Sequence, residues 1–393
     1  GNMGGVRHFL EKECGVDVDW VSVPEAYRIV LTDKGLNKRL PFGIEEFTEA
    51  IVAEVPDSRE QVTNYIQFCK SVHESFGYLG RYASKPKDFM DDFVEFLKKA
   101  QNPFSETADA ARKIINIAKT IPCTVDEVTS AFGLPDKAID LLYPYWCYIG
   151  IPMSRMSFPI WAGMLIDYLE YGAYVPRMRS HEMSLAIEKR IRELGGRVEY
   201  NTRVERINVR HGRVTGVETS RGDRIDARCV ISNSSPTQTY NKLITPQTEV
   251  PTEARQIVNA RKHGGAGFVV YLGLDASPEE LGLEDYGYFI SKSMNTDEIY
   301  DSMKRLGLAD MQATTCLNNT VPGCSPDGTT ILSMTTLYTP DVWRKVKPEE
   351  YYATKNRIAS EMVSQFDNAM GTDIRSHIEE IEVATPATFA RYA

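Results

Sequence analysis

A cluster of aromatic residues is the first feature of this sequence that could take part in chemistry. Its members fall between positions 143 and 161, and they are Tyr143, Tyr145, Trp146, Tyr148, Phe158 and Trp161. Aromatic rings at such close spacing can line a tunnel for a long apolar substrate. The same spacing is also common in an ordinary hydrophobic core. Both interpretations stay open, with Tyr148 and Trp161 as candidate substrate-lining residues.

Side chains that perform nucleophilic or metal chemistry are sparse. The sequence has no Gly-x-Ser-x-Gly elbow, no His-Glu-x-x-His pair and no P-loop. Its seven cysteines include no Cys-x-x-Cys pair, which is typical of free thiols in a reducing compartment. No Cys or His residues stand at zinc-ligand spacing, so we expect no metal site. The sequence does not identify a catalytic side chain.

Composition narrows the class of protein. A chain of 393 residues has room for two or three domains, and its 42% hydrophobic and 25% charged residues are ordinary for a globular protein. The net charge of −9 argues against a nucleic-acid partner. The most apolar stretch, 141–169, is interrupted by prolines and charges, so no transmembrane span is expected. We expect a cytoplasmic protein, and this stretch leaves contact with a membrane surface open.

The elements of residues 172–236 follow a recognisable order. A helix is predicted at 180–194, ending at Gly195-Gly196, where a left-handed cap favours glycine. Strands are predicted at 197–201, 204–209 and 213–219, with turns at His211-Gly212 and Arg221-Gly222-Asp223. A buried strand is predicted at 227–232. A small antiparallel meander between a helix and a buried strand is a recurring accessory of dinucleotide-binding folds.

The rest of the chain divides into a helical and a mixed part. Residues 44–171 are predicted to be mostly helical, with Thr124 and Glu127 forming a capping box. After position 262 the alternation of apolar residues predicts strands, which we place at 267–275, 286–291, 311–318, 330–337 and 378–383. A long helix is predicted at 348–370. These elements favour one antiparallel sheet with helices on one face.

At residues 172–236 the sequence resembles a known enzyme family. The segments GAYVPRMRSHEMSLAIEKRIRELGGRVEYNTRVERI, GRVTGV and VISNSSP are similar to those of FAD-dependent phytoene desaturases, carotenoid isomerases and retinol saturases. The later segments FVVYLGLD and HIEEIEVATPATFARY agree with them. The resemblance covers essentially the whole chain, and it is weakest in the helical block. It places the chain in the wider superfamily of amine-oxidase-type flavoproteins.

The resemblance implies FAD as cofactor and assigns residues to its binding. In this family the strand that contains Val204 runs beside the adenine of FAD, where an extended backbone offers an N–H and a C=O side by side. The segment 229–233 matches the strand that returns to the nucleotide-binding sheet. Ser232 and Asn233 would then lie near the end of a parallel strand, where such folds place ligands. Spacing alone favours Val204 as one more apolar hairpin residue, and the resemblance favours the cofactor contact.

Residues 174–179 depart from the pattern of the family. Relatives often have tyrosine, proline, a basic residue and then two glycines, whereas this chain has Met178 and Arg179 at the glycine positions. Tyr174 and Met178 are therefore candidate substrate-lining residues. Arg179 could pair with a phosphate or a carboxylate, or it could simply be a solvated arginine before a helix.

The Gly-x-Gly-x-x-Gly turn that holds the pyrophosphate of FAD does not occur in the sequence. We therefore expect the chain to be the middle of a longer protein, truncated at both ends and unable to hold FAD well as written. In fold class we expect α/β plus α+β. Residues 1–40 and 172–262 would form part of a doubly wound FAD-binding lobe with an inserted meander. Residues 41–171 and 263–393 would form the helical and sheet parts of a substrate lobe.

The expected function is redox chemistry at a carbon–carbon bond of an apolar substrate such as a polyene or isoprenoid. The reaction would be desaturation, saturation or isomerisation, with FAD carrying the hydride or electrons. Two alternatives remain open at this point. One is an amine oxidase of the same broad fold, and the other is a non-enzymatic protein resembling Rab GDP dissociation inhibitors, which bind a prenylated partner.

Overall fold

A computed structural model describes residues 4–80, 112, 115–261 and 264–392 of the chain. Within these residues the strands form three sheets of seven, four and two strands. Positions 81–111 and 113–114 of the predicted helical block lie outside the described residues. The mixed α/β architecture expected from the sequence is confirmed.

The seven-stranded sheet is the centre of the molecule. Its members along the chain are β2 (Tyr27–Leu31), β3 (Leu36–Leu40), β9 (Ala266–Leu274), β10 (Gly287–Ser291), β11 (Met311–Cys316), β12 (Thr330–Tyr338) and β13 (Ile378–Ala384). Their order in space is β13-β9-β12-β11-β10-β2-β3, so β13 and β3 are the two edges. All neighbours are antiparallel except β10 and β2, which are parallel. The five strands predicted after position 262 are confirmed, with ends that differ by a few residues.

Residues 27–40, which the sequence analysis assigned to the FAD-binding lobe, form two strands of this sheet beside β10. Strand β2 has the sequence YRIVL, and four of its five residues are buried. It is covered on both faces and pairs with β10 on one side and β3 on the other. A strand that is buried on both faces is most stable inside a sheet, where its backbone groups are also paired.

The sheet is covered by helices on both faces, whereas the sequence predicted one face only. The α-helices of five or more residues in the described ranges are α1 (Ile44–Glu54), α2 (Arg59–Gly80), α3 (Val125–Ala131), α4 (Asp136–Leu142), α5 (Phe158–Tyr171), α6 (Arg179–Glu193), α7 (Thr252–Ala260), α8 (Thr296–Ser302), α9 (Pro340–Arg344), α10 (Tyr351–Met370) and α11 (Pro386–Tyr392). One core joins α1–α5 to one face of the sheet, and a second joins α10 to the other. None of the helices in the described ranges is both long and apolar enough to cross a bilayer.

Alternation along β12 explains how one sheet serves two cores. Its sequence, TILSMTTLY, alternates regularly between buried and half-buried residues. Leu332 and Met334 pack in the core beneath α10, while Thr335 and Leu337 point toward the helical block. Because successive side chains of a strand face opposite sides, a single run of residues supplies both layers.

The helical block is built around large aromatic side chains. Trp161 of α5 is fully buried, and its Nε1 donates a hydrogen bond to the Tyr65 hydroxyl at 3.1 Å. The predicted capping box at α3 is confirmed: the Thr124 hydroxyl accepts from the Glu127 N–H, and the Glu127 carboxylate accepts from the Thr124 N–H. It satisfies two backbone donors that the first turn of a helix otherwise leaves unpaired.

The predicted meander forms the four-stranded sheet. It consists of β5 (Val204–Arg210), β6 (Arg213–Thr219) and β7 (Arg224–Asp226), with β8 (Ile244–Thr245) parallel to β5. The remaining two strands, β1 (Trp20–Ser22) and β4 (Tyr174–Pro176), pair with each other.

The strands predicted at 197–201 and 227–232 are wrong. Both segments are irregular, and Ile231 is 94% exposed. Among the described residues neither segment forms a ladder with a strand, and the Ala227 N–H alone reaches the Thr215 carbonyl oxygen of β6. An extended segment without a ladder leaves most of its backbone groups without strand partners. The apolar composition of 227–232 therefore does not produce a buried strand in this structure.

Replacement of Trp161 by alanine tests the packing of the helical block. Trp161→Ala should reduce the free energy of unfolding by about 3–5 kcal/mol, because it leaves a large cavity and removes a hydrogen bond to Tyr65. Ile160, its neighbour on α5, is 56% exposed. Ile160→Ala is the matched control and should change the stability by no more than about 0.5 kcal/mol in a urea titration. Equal effects of the two substitutions would contradict the described packing.

Candidate functional site

An apolar cavity of about 230 Å³ lies between the seven-stranded sheet and the helical block. Its walls come from the segment Tyr143–Tyr148, from α5 and α8, from β10, β11 and β12, and from loops near Val23 and Ala173. Aromatic and aliphatic side chains dominate the walls, together with four threonines of β11 and β12. Among the described residues, no charged side chain lines this cavity. Such a wall suits a neutral, mainly apolar ligand.

A short 3₁₀-helix, Tyr143–Tyr148, positions the aromatic wall. Side chains three residues apart eclipse one another in a 3₁₀-helix. The rings of Tyr145 and Tyr148 accordingly stack with centroids 5.4 Å apart and planes 24° apart. Tyr168 of α5 stacks on both, at 4.6 Å from Tyr145 and 5.6 Å from Tyr148. Phe289 of β10 meets the Tyr145 ring edge-on and closes the stack against the sheet.

The titratable groups of the cavity wall are neutral at physiological pH. Burial raises the pKa of the Tyr145, Tyr148 and Tyr168 hydroxyls, and neighbouring titratable groups raise them further. Burial also raises the pKa of the Cys147 thiol to about 12. This thiol is therefore protonated and is a poor nucleophile. The wall offers neutral hydrogen-bonding groups rather than an acid, a base or a thiolate.

A buried carboxylate fixes the sheet below the cavity. Asp285 is fully buried and accepts hydrogen bonds from Arg28, at 3.0 Å, and from Arg39. These two arginines lie directly opposite each other on β2 and β3. Like charges in that position repel, so Asp285 neutralises a pair that would otherwise destabilise the strands.

Glu25 fixes the backbone of Tyr286, which lines the cavity. The Glu25 carboxylate accepts a hydrogen bond from the Tyr286 N–H at 2.5 Å. Glu25 is 7% exposed, and burial raises the pKa of its carboxyl group above the usual 4.5. Backbone hydrogen bonds lower the pKa and the nearby Asp285 raises it, but burial is the largest cause. Asp285 and Glu25 together hold the loop that enters β10.

The predicted substrate-lining residues have different locations. Tyr148 lines the cavity, and its 55% exposed side chain borders that space. Trp161 does not reach the cavity wall, because it is fully enclosed in the helical core; its assignment as a lining residue is corrected. Tyr174 and Met178 lie at the surface, 36% and 69% exposed. Met178 borders a shallow surface depression along α6 instead.

Val204 begins β5 at the surface and is 37% exposed. Strand β8 pairs with β5 only at Ile207 and Asn208, so no described strand covers residues 204–206 on that side. Backbone N–H and C=O groups there fit the donor and acceptor edge of an adenine ring. The role of Val204 stays a prediction.

Ser232 and Asn233 are exposed residues of the irregular segment 227–235. The Ser232 hydroxyl lies 2.9 Å from the hydroxyl of Thr239. They do not stand at the end of a parallel strand, since that strand is not formed, and this part of their predicted setting is corrected. Their contact with FAD stays a prediction.

Arg179 is the first residue of α6, is exposed, and has a left-handed φ of 67°. This conformation is sterically unfavourable for a residue with a Cβ, but not for glycine. The structure thus gives a physical reason for the glycine that the family often has here. A phosphate or carboxylate partner for Arg179 stays a prediction.

Several cavity residues were missed by the sequence analysis. Tyr168 and Tyr286 stand outside the aromatic cluster of 143–161, and the threonine pairs 314–315 and 335–336 were not singled out. Tyr168 lies seven residues after Trp161, two helical turns along the same face of α5, so helical spacing could have indicated it. The Thr335-Thr336 pair could have been noticed too, because it interrupts the mainly apolar strand β12.

The fold of this chain also occurs in solved proteins. A solved oxidoreductase from Methanosarcina mazei superposes with a TM-score of 0.59 over 97% of this chain and 73% of its own, at 14% identity. At that identity the likeness shows the fold alone.

The sequence places the chain in a family. Residues 23–377 match the model of the flavin containing amine oxidoreductases, and the chain belongs to this family. The resemblance expected from residues 172–236 and the expected flavin cofactor are thereby confirmed. The chain is 20% identical to prolycopene isomerase of Daucus carota over 88% of its length and 22% identical to all-trans-retinol 13,14-reductase of Danio rerio over 98%. It spans 53% and 65% of the length of these two relatives.

Substitutions at Arg179 test the left-handed backbone. Arg179→Gly should be more stable than Arg179→Ala by about 0.5–1 kcal/mol, because only glycine avoids the cost of positive φ. Both variants lose the guanidinium group. The difference between their free energies of unfolding therefore reports on the backbone conformation at residue 179. Free energies of unfolding from urea titration provide the measurement. An alanine variant as stable as the glycine variant would show that residue 179 is not left-handed in solution.

The raised pKa of Glu25 predicts a pH dependence of stability. A carboxyl group whose pKa is higher in the folded state binds its proton more tightly there, so its contribution to stability falls as pH rises above the usual 4.5. A glutamine at this position would not titrate, and it would keep an oxygen for the Tyr286 N–H. The stability of Glu25→Gln relative to the wild type should therefore increase from pH 4.5 upward, as measured by urea titration at a series of pH values. A difference that is constant or that decreases with pH would contradict the assignment.

Proposed function

We propose that this chain provides the substrate-binding region of a flavin-dependent oxidoreductase that acts on a carbon–carbon double bond of an apolar polyene or isoprenoid. The reaction class is isomerisation, saturation or desaturation. The names of the two relatives support it, since one is an isomerase of prolycopene and the other a reductase of all-trans-retinol. Family membership supports the flavin.

The uncharged aromatic cavity is the observation on which the proposal depends. Its wall is built from stacked tyrosines, Phe289 and the small residues of β11. Polyenes are flat and polarisable, so they gain from contact with aromatic faces and from removal from water. An apolar cavity of about 150 Å³ accepts benzene. The 230 Å³ found here has room for one substituted six-membered ring or an equivalent end of a longer chain.

FAD would supply the chemistry by accepting or donating a hydride or single electrons when bound. The residues of this chain that fit the cofactor are on its adenine side, where the backbone at 204–206 is not covered by a strand. The cavity residues would orient the substrate and exclude water. None of them is required to transfer a proton, consistent with their neutral hydroxyls and thiol.

The amine oxidase alternative is disfavoured by the same wall. Most amines are cations at neutral pH, and a buried cation requires a carboxylate or other polar partners. The described cavity wall has no Asp or Glu residue, and the nearby Glu25 and Asp285 are engaged with backbone or arginine groups. A neutral substrate therefore fits better.

The absorption spectrum of the full-length protein tests the flavin. We expect two bands of oxidised flavin, in the near ultraviolet and the blue, and release of the flavin on denaturation. Incubation with all-trans-retinol and with prolycopene, followed by chromatography of the products, then tests the reaction class. A colourless protein that takes up no FAD on reconstitution would contradict the proposal and favour a non-enzymatic lipid-binding role.

A further inference from the structure

Three tyrosine hydroxyls of the cavity have no hydrogen-bond partner within the part of the chain that the structure describes. Tyr148, Tyr168 and Tyr286 all line the cavity, and no hydrogen bond joins their hydroxyls to any described residue. Their rings come from three separate elements: the 3₁₀-helix, α5 and the loop that enters β10. A phenol hydroxyl both donates and accepts one or more hydrogen bonds. These groups are therefore available to a ligand.

Other tyrosines around the cavity contrast with these three. The Tyr145 hydroxyl donates to the Ala26 carbonyl oxygen at 3.2 Å. The Tyr288 hydroxyl accepts from the Asp285 N–H at 2.9 Å. Tyr27, which contacts Tyr145 edge-on, donates to the Leu141 carbonyl oxygen at 2.7 Å. The fold thus pairs the hydroxyls of tyrosines that have a structural role and leaves three unpaired at one place.

The three free hydroxyls belong to neighbouring side chains. The rings of Tyr148 and Tyr168 stack with an interplanar angle of 28°. Burial raises the pKa of Tyr286, and the proximity of Tyr168 raises it further. Tyr286 and Tyr168 both contribute in turn to the raised pKa of Tyr148. Each of the three phenols is thus within electrostatic reach of the other two.

A pure hydrocarbon in this cavity would offer no hydrogen bond to the three tyrosine hydroxyls. It would displace water from the hydroxyls of the half-buried Tyr168 and Tyr286 without replacing its hydrogen bonds, whereas Tyr148, which is 55% exposed, keeps part of its contact with solvent. A substrate with an oxygen atom at the same place would replace the lost hydrogen bonds. Sites with buried polar groups reject analogues that lack the matching group more strongly than apolar pockets reject a missing methylene.

We propose that Tyr148, Tyr168 and Tyr286 bind a hydroxyl or carbonyl oxygen at one end of an otherwise apolar substrate. The inference rests on the proposed function of the cavity as the substrate site, and it narrows the substrate class to oxygenated isoprenoids. The apolar wall of β10 and β11 holds the hydrocarbon part, and the three phenols determine which end enters.

Two ring-sized probes that differ by one oxygen test the proposal. The probes are isophorone, an unsaturated ring ketone, and the trimethylcyclohexene with the same ring and methyl groups but no oxygen. Dissociation constants from ligand-observed NMR on the full-length protein give the ratio of affinities. Transfer from water by itself favours the hydrocarbon. We nevertheless expect the wild-type protein to bind the ketone more tightly, by about tenfold, the usual effect of one or two hydrogen bonds.

Tyrosine-to-phenylalanine variants identify the hydroxyls responsible. Tyr148→Phe, Tyr168→Phe and Tyr286→Phe should each reduce the ketone preference about three- to tenfold, the usual effect of one hydrogen bond. Tyr145→Phe is the matched control, because its ring lies in the same stack but its hydroxyl is already bonded to Ala26. It should leave the preference unchanged.

Three results would overturn the proposal: equal binding of the two probes by the wild type, an undiminished preference in all three variants, or no binding of either probe. A loss of preference in Tyr145→Phe as large as in the other variants would also count against it. None of these measurements requires flavin or turnover. A failed proposal here is therefore distinguishable from a failure of the flavin assignment, which the absorption spectrum reports.

Discussion

The fully buried carboxylate of Asp285 is the interaction on which the site depends. It allows Arg28 and Arg39 to face each other across β2 and β3, and so it joins an early hairpin to a sheet made mainly of late strands. A buried ion cluster gives little net stability, because removing charges from water offsets their attraction. In the observed register of β2 beside β10, Arg28 and Arg39 both reach this carboxylate. That register in turn places Tyr286 and Phe289 on the cavity wall.

The sequence predicts the local elements of this fold well and its long-range pairing poorly. Alternation along β12 and the turns at His211-Gly212 and Arg221-Gly222 identify strands from neighbouring residues alone. The parallel pairing of β2 with β10 joins residues more than 250 positions apart, and no local pattern carries that information. The segment 227–232 shows the reverse error. Its composition suits a buried strand, but a strand also requires neighbours, and none pairs with it in the described chain.

The sequence predicted an aromatic site but not which residues form it. The aromatic cluster of 143–161 left two interpretations open, and the structure assigns some of its members to each. Tyr145, Trp146 and Tyr148 line the cavity, whereas Trp161 and Phe158 pack in the helical core. Phe158 and Trp161 lie in the first turn of α5 and pack against Tyr65 and Tyr143, whereas Tyr168, two turns later on the same helix, reaches the cavity. Composition alone does not reveal this difference in position.

The edges of the central sheet have a consequence for the behaviour of the protein at high concentration. The exposed residues of β3 include Lys38 and Arg39, and those of β13 include Glu379, Glu380 and Glu382. Unprotected edges recruit strands from other molecules, and charges and bulges prevent this. The three glutamates make the β13 edge negative, so it repels its counterpart on another copy, whereas Lys38 of β3 is paired with Glu54 and Arg39 with Asp285. Pairing of β3 with β13 of another copy meets no such repulsion, but the β-bulge that distorts β13 beside β9 works against a regular ladder there.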